Sequence, residues 1–155
     1  MLNVVRDSRE RNPWTFGSFK SVASVVSKKL DTGDYSVQGL EEILIIERKG
    51  AITEFAKNVT EKRFWRSLDR MSGYSHAYLV LEFTELDILK YPKGSGLPPK
   101  LWNKVRVRGK FMMSCIKKIE DAGIKIIFCN NRDEAEHSTV EIMERVWNEQ
   151  CRKQE

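Results

Sequence analysis

The fold of this chain is decided by two stretches: Asp34-Tyr35-Ser36-Val37-Gln38 and Ile43-Leu44-Ile45-Ile46-Glu47-Arg48. Both stretches alternate or run apolar and are rich in β-branched residues, which predicts two β-strands. The four residues between them, Gly39-Leu40-Glu41-Glu42, are few enough for a hairpin connection. If they form the turn, residue 34 lies opposite residue 47, and residue 37 lies opposite residue 44.

That register sorts the side chains onto two faces, because side chains alternate along a strand. The apolar face carries Tyr35, Val37, Leu44 and Ile46, and the other face carries Asp34, Ser36, Glu47 and Lys49. Directly opposed residues have Cβ atoms roughly 5 Å apart, and like charges placed so repel each other. A cation between Asp34 and Glu47 would convert that repulsion into binding. Carboxylates are hard oxygen ligands, so we expect Mg²⁺ (or Mn²⁺).

Two acids and a lysine around a divalent ion can support phosphodiester hydrolysis. Such an ion polarises a phosphoryl oxygen and lowers the pKa of a bound water. The main-chain carbonyl of Arg48 could be a further ligand. Lys49 could orient or deprotonate the attacking water, or neutralise charge on the phosphate. The alternative is a surface hairpin with an ordinary Glu–Lys ion pair. The apolar run that leads into Glu47 favours the catalytic interpretation.

Three motifs occur in order along the chain: Asp7-Ser8-Arg9-Glu10 after a predicted strand, Gly33-Asp34-Tyr35, and Glu47-Arg48-Lys49. Together they resemble the nuclease domain of the XPF family, whose pattern is Asp-x-Arg-Glu, Gly-Asp-Tyr, then Glu-Arg-Lys-x-x-x-Asp. That family consists of structure-selective DNA endonucleases with a restriction-endonuclease-like, PD-(D/E)XK fold. The resemblance covers about residues 3–150. It is strongest to compact stand-alone versions such as those in phages and bacteria.

The resemblance implies roles for seven residues, which are Asp7, Arg9, Glu10, Asp34, Glu47, Arg48 and Lys49. Asp34 and Glu47 would be metal ligands, and Asp7 would lie close to the same metal centre as a third ligand. Lys49 would be the catalytic lysine. The pair after Asp7, Arg9 and Glu10, would support the centre or contact the scissile phosphate. Arg48 would contribute to activity or hold the site together.

The chain departs from the family pattern at the last acid. Strict spacing places that position at Thr53, and Glu54 follows one residue later. The role of Glu54 is therefore left open by the sequence. The Gly- and Pro-containing segment 93–99 lacks the Gly-Lys-Ser ending of a phosphate-binding loop, so no nucleotide cofactor is expected.

We predict one α/β domain over residues 1–155, with a restriction-endonuclease-like central mixed β-sheet flanked by helices. The predicted strands are 2–6, 22–30, 34–38, 43–48, 76–83 and 124–129, and the predicted helices are 51–58, 61–74, 84–89, 104–121 and 134–151. The last helix carries an apolar stripe of Ile142, Met143, Val146 and Trp147. The stripe could seal the core. Because the XPF family pairs its nuclease domains, it could instead form a homodimer interface, or it could do both in part.

The basic residues are placed unevenly. The net charge is +5, yet seven of the cations fall between Lys100 and Lys118 with no acid among them. A basic stripe of this kind can follow phosphates, and aromatic side chains within it can stack on bases. The alternative is a solvated helix face. We predict DNA contacts from Lys104, Arg106, Arg108 and Lys110, and from Arg63 and Arg66 on the helix after the catalytic strand.

The cysteines and the hydropathy of the chain indicate where in the cell the protein would act. The three cysteines, Cys115, Cys129 and Cys151, form no Cys-x-x-Cys pair and are expected to be reduced thiols. No signal peptide or membrane-length apolar stretch is present, so no membrane partner is expected. We expect an intracellular protein, in the cytoplasm or nucleoid.

Three functions are compatible with these patterns. The first is a metal-dependent DNA endonuclease that acts on branched, flap or forked DNA, and the intact acids and lysine favour it. The second is a catalytically silent DNA-binding domain on the same fold that acts with a partner. The third is a nuclease-like module that binds protein, which the basic segment between Lys100 and Lys118 argues against.

Overall fold

The computed structural model describes residues 1–155 and contains six strands, five α-helices and one 3₁₀ turn. The elements in chain order are β1 (Leu2–Asp7), β2 (Val22–Lys28), β3 (Tyr35–Val37), β4 (Leu44–Lys49), α1 (Ile52–Asn58), α2 (Lys62–Met71), β5 (His76–Leu81), α3 (Glu85–Lys90), the 3₁₀ turn (Pro99–Lys104), α4 (Gly109–Asp121), β6 (Lys125–Phe128) and α5 (Arg132–Lys153).

The strands form one mixed sheet in the order β2-β1-β3-β4-β5-β6. The middle strand β3 is antiparallel to both β1 and β4, whereas β2 runs parallel to β1, and β5 and β6 run parallel to β4. Tyr35 pairs with Ile46, and this pair has the same register as the predicted 34–47 and 37–44 pairs. The predicted hairpin register and the predicted mixed α/β sheet are confirmed.

Helices cover both faces of the sheet, which is what long apolar runs in its central strands require. One face, with Ile45 and Leu79, packs against α1, α2 and α4 in a core of 22 buried residues. The other face, with Tyr35 and Val80, packs against α5 and the loop after β1 in a second core of 17 buried residues. The sorting of the hairpin side chains onto two faces is therefore as predicted.

The helix predicted over residues 104–121 begins five residues late, at Gly109. Arg108 is extended, and Val107 is buried in the core just before it. The start is fixed by a close approach to α3, because a Cβ on Gly109 would overlap the backbone carbonyl of Ile88. Three of the predicted DNA contacts, at positions 104, 106 and 108, therefore precede the helix and do not form a stripe on its face.

The apolar stripe of α5 is used inside the chain. Ile142, Met143 and Val146 are buried in the second core, and Trp147 packs partly buried against it. The alternative that this stripe seals the core is therefore the one that the three buried side chains fit, and pairing of two copies stays a prediction. No helix combines the length and the hydropathy that crossing a bilayer would need.

Candidate active site

The two predicted metal-binding acids meet where β3 begins and β4 ends. The Asp34 backbone N–H donates to Ile46 at 2.8 Å, and its carbonyl accepts from Asp7 at 2.8 Å. Its carboxylate Oδ2 accepts from the backbone N–H of Arg48 at 2.8 Å. Asp34 is thus fixed from both sides, by β1 and by β4. Glu47 lies across the hairpin on the same face.

Glycine is required beside Asp34. Gly33 has a φ of +76°, a conformation that L side chains rarely adopt. A Cβ at this position would also overlap the side chain of Ile45, which is buried in the core. The glycine of the Gly-Asp-Tyr motif therefore lets the chain enter β3 close against β4. Its role is to place Asp34 next to Glu47.

The two carboxylates perturb each other. Burial raises the pKa of Asp34 well above its usual range, and the neighbouring Glu47 carboxylate raises it further by charge repulsion and by a hydrogen bond. Such a pair is stabilised either by a shared proton or by a cation that replaces the proton. The donor set of two hard oxygen groups therefore fits a divalent ion.

Lys49 lies next to this pair and to Glu54. Its Nζ is 3.9 Å from Glu47 Oε1 and 3.3 Å from Glu54 Oε1, and it lies 5.3 Å from the centre of the Phe64 ring. Only 11% of the Lys49 side chain is exposed, whereas Glu54 is half exposed. Glu54, the acid one residue beyond the family spacing, thus does reach Lys49.

Asp7 is not assembled into a three-acid cluster. No group of three His, Cys, Asp or Glu side chains comes together as a metal site in the described residues 1–155. The Asp7 carboxylate instead accepts two hydrogen bonds from the Arg9 guanidinium and one from Leu30 N–H. Burial raises the pKa of Asp7, but these donors outweigh burial and hold the pKa below its usual value. The predicted third metal ligand thus fixes Arg9 at the edge of the site.

Arg48 points to the opposite side of β4 from Glu47. Its Nε donates to Glu82 at 2.5 Å, and its guanidinium donates to the Asn12 carbonyl at 3.0 Å and lies 4.4 Å from the centre of the Trp14 ring. Both members of the Arg48–Glu82 pair are 7% exposed. These contacts hold the end of β4 against β5 and against the loop after β1.

The sequence reasoning assigned Glu82 no role in the site. Glu82 nevertheless has the same sequence pattern as Glu47, because each is an acid that directly follows an apolar run of a buried strand. The difference lies in what the two acids contact. Glu82 is neutralised by a buried arginine, whereas Glu47 faces another carboxylate.

Glu10 is a buried acid on the Arg48 side of the site. Its Oε2 has no hydrogen-bond partner and lies 4.0 Å from the Arg48 guanidinium. Burial raises the pKa of Glu10 to about 7, with a further contribution from the charge of Asp34 and an opposing one from Arg48.

Glu10 is expected to make stability depend on pH. An acid whose pKa is raised by folding contributes most below its unfolded pKa, and that contribution is lost as the pH rises from 4.5 to about 7. We expect the wild-type protein in chelator to lose about 2 kcal/mol of unfolding free energy between pH 5 and pH 8, relative to Glu10→Gln. Urea unfolding of both proteins at each pH measures this difference, and parallel pH profiles would contradict it.

Two clefts open on either side of Asp34. The first, of about 300 Å³, has a wall formed by α2 and is called the α2 cleft; it includes Glu47, Lys49, Arg63 and Arg70. The second, of about 670 Å³, is called the loop cleft and includes Arg11, Arg48, Glu82 and Arg132. Asp7, Arg9 and Asp34 line both.

The clefts separate the predicted DNA contacts into two groups. Arg63 lines the α2 cleft, as expected of a residue that contacts substrate. Arg66, Lys104, Arg106, Arg108 and Lys110 are exposed and line neither cleft. The sequence analysis assigned no role in the site to Arg11, Arg70 or Arg132.

A family model described as the ERCC4 domain matches residues 6–142. The chain belongs to the ERCC4 domain family. The predicted resemblance to the XPF nuclease domain is thereby confirmed, and this ERCC4 domain has the fold expected from it. No curated protein matches the chain in sequence.

Two solved structures share the fold of this ERCC4 domain. One is XPF from Aeropyrum pernix, with 19% identity and a TM-score of 0.66; the match covers 91% of this chain and 63% of the other. The second is XPF from Aeropyrum pernix in complex with DNA, with 18% identity and a TM-score of 0.69 over 96% of this chain and 66% of the other. The domain therefore spans just under two thirds of those chains.

Proposed function

We propose that this ERCC4 domain is a divalent-metal-dependent DNA endonuclease that hydrolyses phosphodiester bonds, with a preference for branched, flap or forked DNA. The observation that carries the proposal is the contact between Asp34 and Glu47 with Lys49 beside them, at the junction of two clefts lined by arginine. Membership of the ERCC4 family supports nuclease chemistry. One of the two Aeropyrum pernix XPF structures is a complex with DNA, which supports the substrate class.

Asp34 and Glu47 would hold Mg²⁺ or Mn²⁺. When bound, such an ion polarises a phosphoryl oxygen and lowers the pKa of a water. The Asp34 carboxylate is already oriented by the Arg48 backbone N–H, so it needs little reorganisation. The charge of the ion would also offset the repulsion that raises the pKa of Asp34.

Lys49 and Arg9 supply the remaining positive charge. The Lys49 ammonium is held by Glu54 and Glu47, so its free donor can hydrogen-bond a water or a phosphate oxygen at the acid pair. Charge that develops on the phosphate is stabilised by a donor fixed in this way. The Arg9 side chain is 60% exposed but anchored by Asp7, which suits a residue that contacts the phosphate backbone.

The predictions of location and of a second copy as partner rest on the free thiols and on exposed apolar side chains. Three free thiols suit a reducing compartment such as the cytoplasm or nucleoid. Pairing of two copies stays a prediction, and three of the four α5 stripe residues are buried inside the chain. Three of the five exposed large apolar side chains lie on α3 and α4: Leu86, Leu89 and Phe111. The other two are Met1 and Val26.

The test is cleavage of labelled forked, flapped and linear DNA by the purified protein in Mg²⁺, in Mn²⁺ and in EDTA. We expect strand breaks only with metal, and faster breakage of the branched substrates. Equal rates on all three DNAs would remove the structural preference but keep the nuclease. A protein that is inert with every metal and substrate would instead be a DNA-binding domain without catalysis.

A further inference from the structure

The cations around the site are almost all arginine. The chain contains 12 arginines and 15 lysines. Six of the 12 arginines line the α2 cleft or the loop cleft, whereas one lysine, Lys49, does so. Basic residues scattered by solubility alone would show no such preference. The cleft walls are therefore enriched in arginine relative to lysine.

Arginine and lysine bind phosphate differently. A guanidinium offers five donors in a planar fork that can grip a phosphate through two oxygens, while an ammonium acts as a point charge. In each cleft at least one guanidinium is free to do so. Arg70 in the α2 cleft and Arg11 in the loop cleft are exposed, and neither side chain makes a hydrogen bond or ion pair within the chain.

The clefts also lack what base recognition by stacking needs. Each is lined by a single hydrophobic residue, Phe64 in the α2 cleft and Ala51 in the loop cleft. The Phe64 ring is already faced by Lys49. Proteins that hold unpaired bases present aromatic platforms to them. These walls can therefore contact the sugar–phosphate backbone but offer no surface on which bases stack.

The two clefts meet at three shared wall residues. Asp7, Arg9 and Asp34 line both clefts, so a chain of phosphates that runs from one cleft to the other passes Asp34. The residues that line one cleft alone include Arg63 and Arg70 in the α2 cleft, and Arg11 and Arg132 in the loop cleft. Arg132 comes from the start of α5 and is held in place by the Pro13 carbonyl at 2.9 Å.

We propose that one DNA strand crosses the site through both clefts, held by its phosphates and without sequence preference: Arg63 and Arg70 grip the backbone on one side of the scissile phosphate, and Arg11 and Arg132 grip it on the other. This path rests on the proposed function for its substrate. It excludes the basic segment Lys100–Lys118 from the strand path, because that segment lines neither cleft.

The test measures binding without cleavage. Fluorescence anisotropy in EDTA follows a labelled single-stranded oligonucleotide across a salt series, with Arg11→Ala, Arg70→Ala and the double variant. All three should keep the wild-type melting temperature, since neither side chain has a partner in the chain. An exposed arginine outside the clefts serves as the matched control: Arg152→Ala. Arg106→Ala tests the competing path along Lys100–Lys118, where the sequence predicted DNA contacts.

We expect each cleft variant to bind about tenfold more weakly and to lose about 0.7 from the salt slope, with about 1.4 lost in the double variant. Arg152→Ala should match wild type, and so should Arg106→Ala if the strand follows the clefts. Oligonucleotides of different sequence should bind equally. A slope change in Arg106→Ala, or none in Arg11→Ala or Arg70→Ala, would overturn the path. Because nothing is cut in EDTA, this result is independent of whether the protein proves to be a nuclease.

A second measurement tests the two-sided grip. Neutral methylphosphonates replace single phosphates on one side or the other of the cleavage position, or of the oligonucleotide centre if nothing is cleaved. A neutral phosphate on one side should mask the effect of Arg11→Ala, and one on the opposite side should mask that of Arg70→Ala. If the same position masks both variants, or no position masks either, the strand does not cross the acid pair.

Discussion

Replacing Glu47 with glutamine is expected to abolish DNA cleavage and to raise the melting temperature of the metal-free protein. Glutamine keeps the shape of the side chain but removes one of the two charges that would hold the ion. A bound ion supplies several kcal/mol of transition-state stabilisation, so the rate should fall on the order of a thousandfold or more. The loss of repulsion with Asp34 should add about 1 kcal/mol of stability, or a few degrees in Tm.

Two further variants complete this experiment. Glu42→Gln makes the same chemical change on the same hairpin, at an exposed position away from the clefts, and should leave activity and Tm unchanged. Lys49→Met should lower cleavage while leaving calorimetric Mn²⁺ binding in place, since Lys49 is not a ligand. A Glu47→Gln protein that unfolds, or one that cuts DNA at the wild-type rate, would show that Glu47 has a structural role only.

The largest loss of stability is expected from Glu82→Ala. The change leaves the Arg48 guanidinium buried with its main counter-ion removed, and breaking a buried pair in this way costs about 3–5 kcal/mol. The expected fall in Tm is about 10 °C. Thermal melts monitored by circular dichroism measure it.

The double variant Arg48→Met/Glu82→Leu shows whether Glu82→Ala loses stability because Arg48 is left unpaired or because packing is lost. Because it removes both charges and keeps apolar volume, it should recover most of the stability. Glu141→Ala is the matched control, since the exposed His137–Glu141 pair should contribute less than about 1 kcal/mol. Were Glu82→Ala to melt with wild type, the buried pair would not be what holds β4 against β5.

The part of the site that sequence could predict is the part that is local. Residues 34–49 form a hairpin whose register follows from the turn length and the two-residue period of a strand, so the meeting of Asp34 with Glu47 could be inferred. The Gly-Asp-Tyr and Glu-Arg-Lys motifs then led to the family and to the mixed sheet. Helical periodicity predicted that Ile142 and Val146 share an apolar face of the last helix. It did not predict which part of the chain that face packs against.

The rest depends on contacts between distant segments. Arg48 finds Glu82 across 34 positions, and Asp7 binds Arg9 and Leu30 instead of joining the acid pair. Neither choice follows from strand periodicity. The 104–121 helix was misplaced because its true start is set by the contact of Gly109 with α3.

The basic residues show the same limit. The prediction that Lys100–Lys118 binds DNA rests on charge density along the chain, and it stays a prediction. The arginines that line the clefts come from separate elements, and only the sheet topology brings them together. A segment with many basic residues in sequence therefore need not be the place where basic residues gather in the folded chain.

The sheet has its fewest strand-pairing contacts at β3, next to Asp34 and Glu47. β3 is three residues long, with three paired positions toward β1 and one toward β4, yet it alone joins the β2-β1 block to the β4-β5-β6 block. A seam with so few ladder bonds opens at lower free energy than the blocks it connects. Gentle warming should therefore abolish the proposed nuclease activity by separating β3 from its neighbours while most of the hydrophobic interior remains folded.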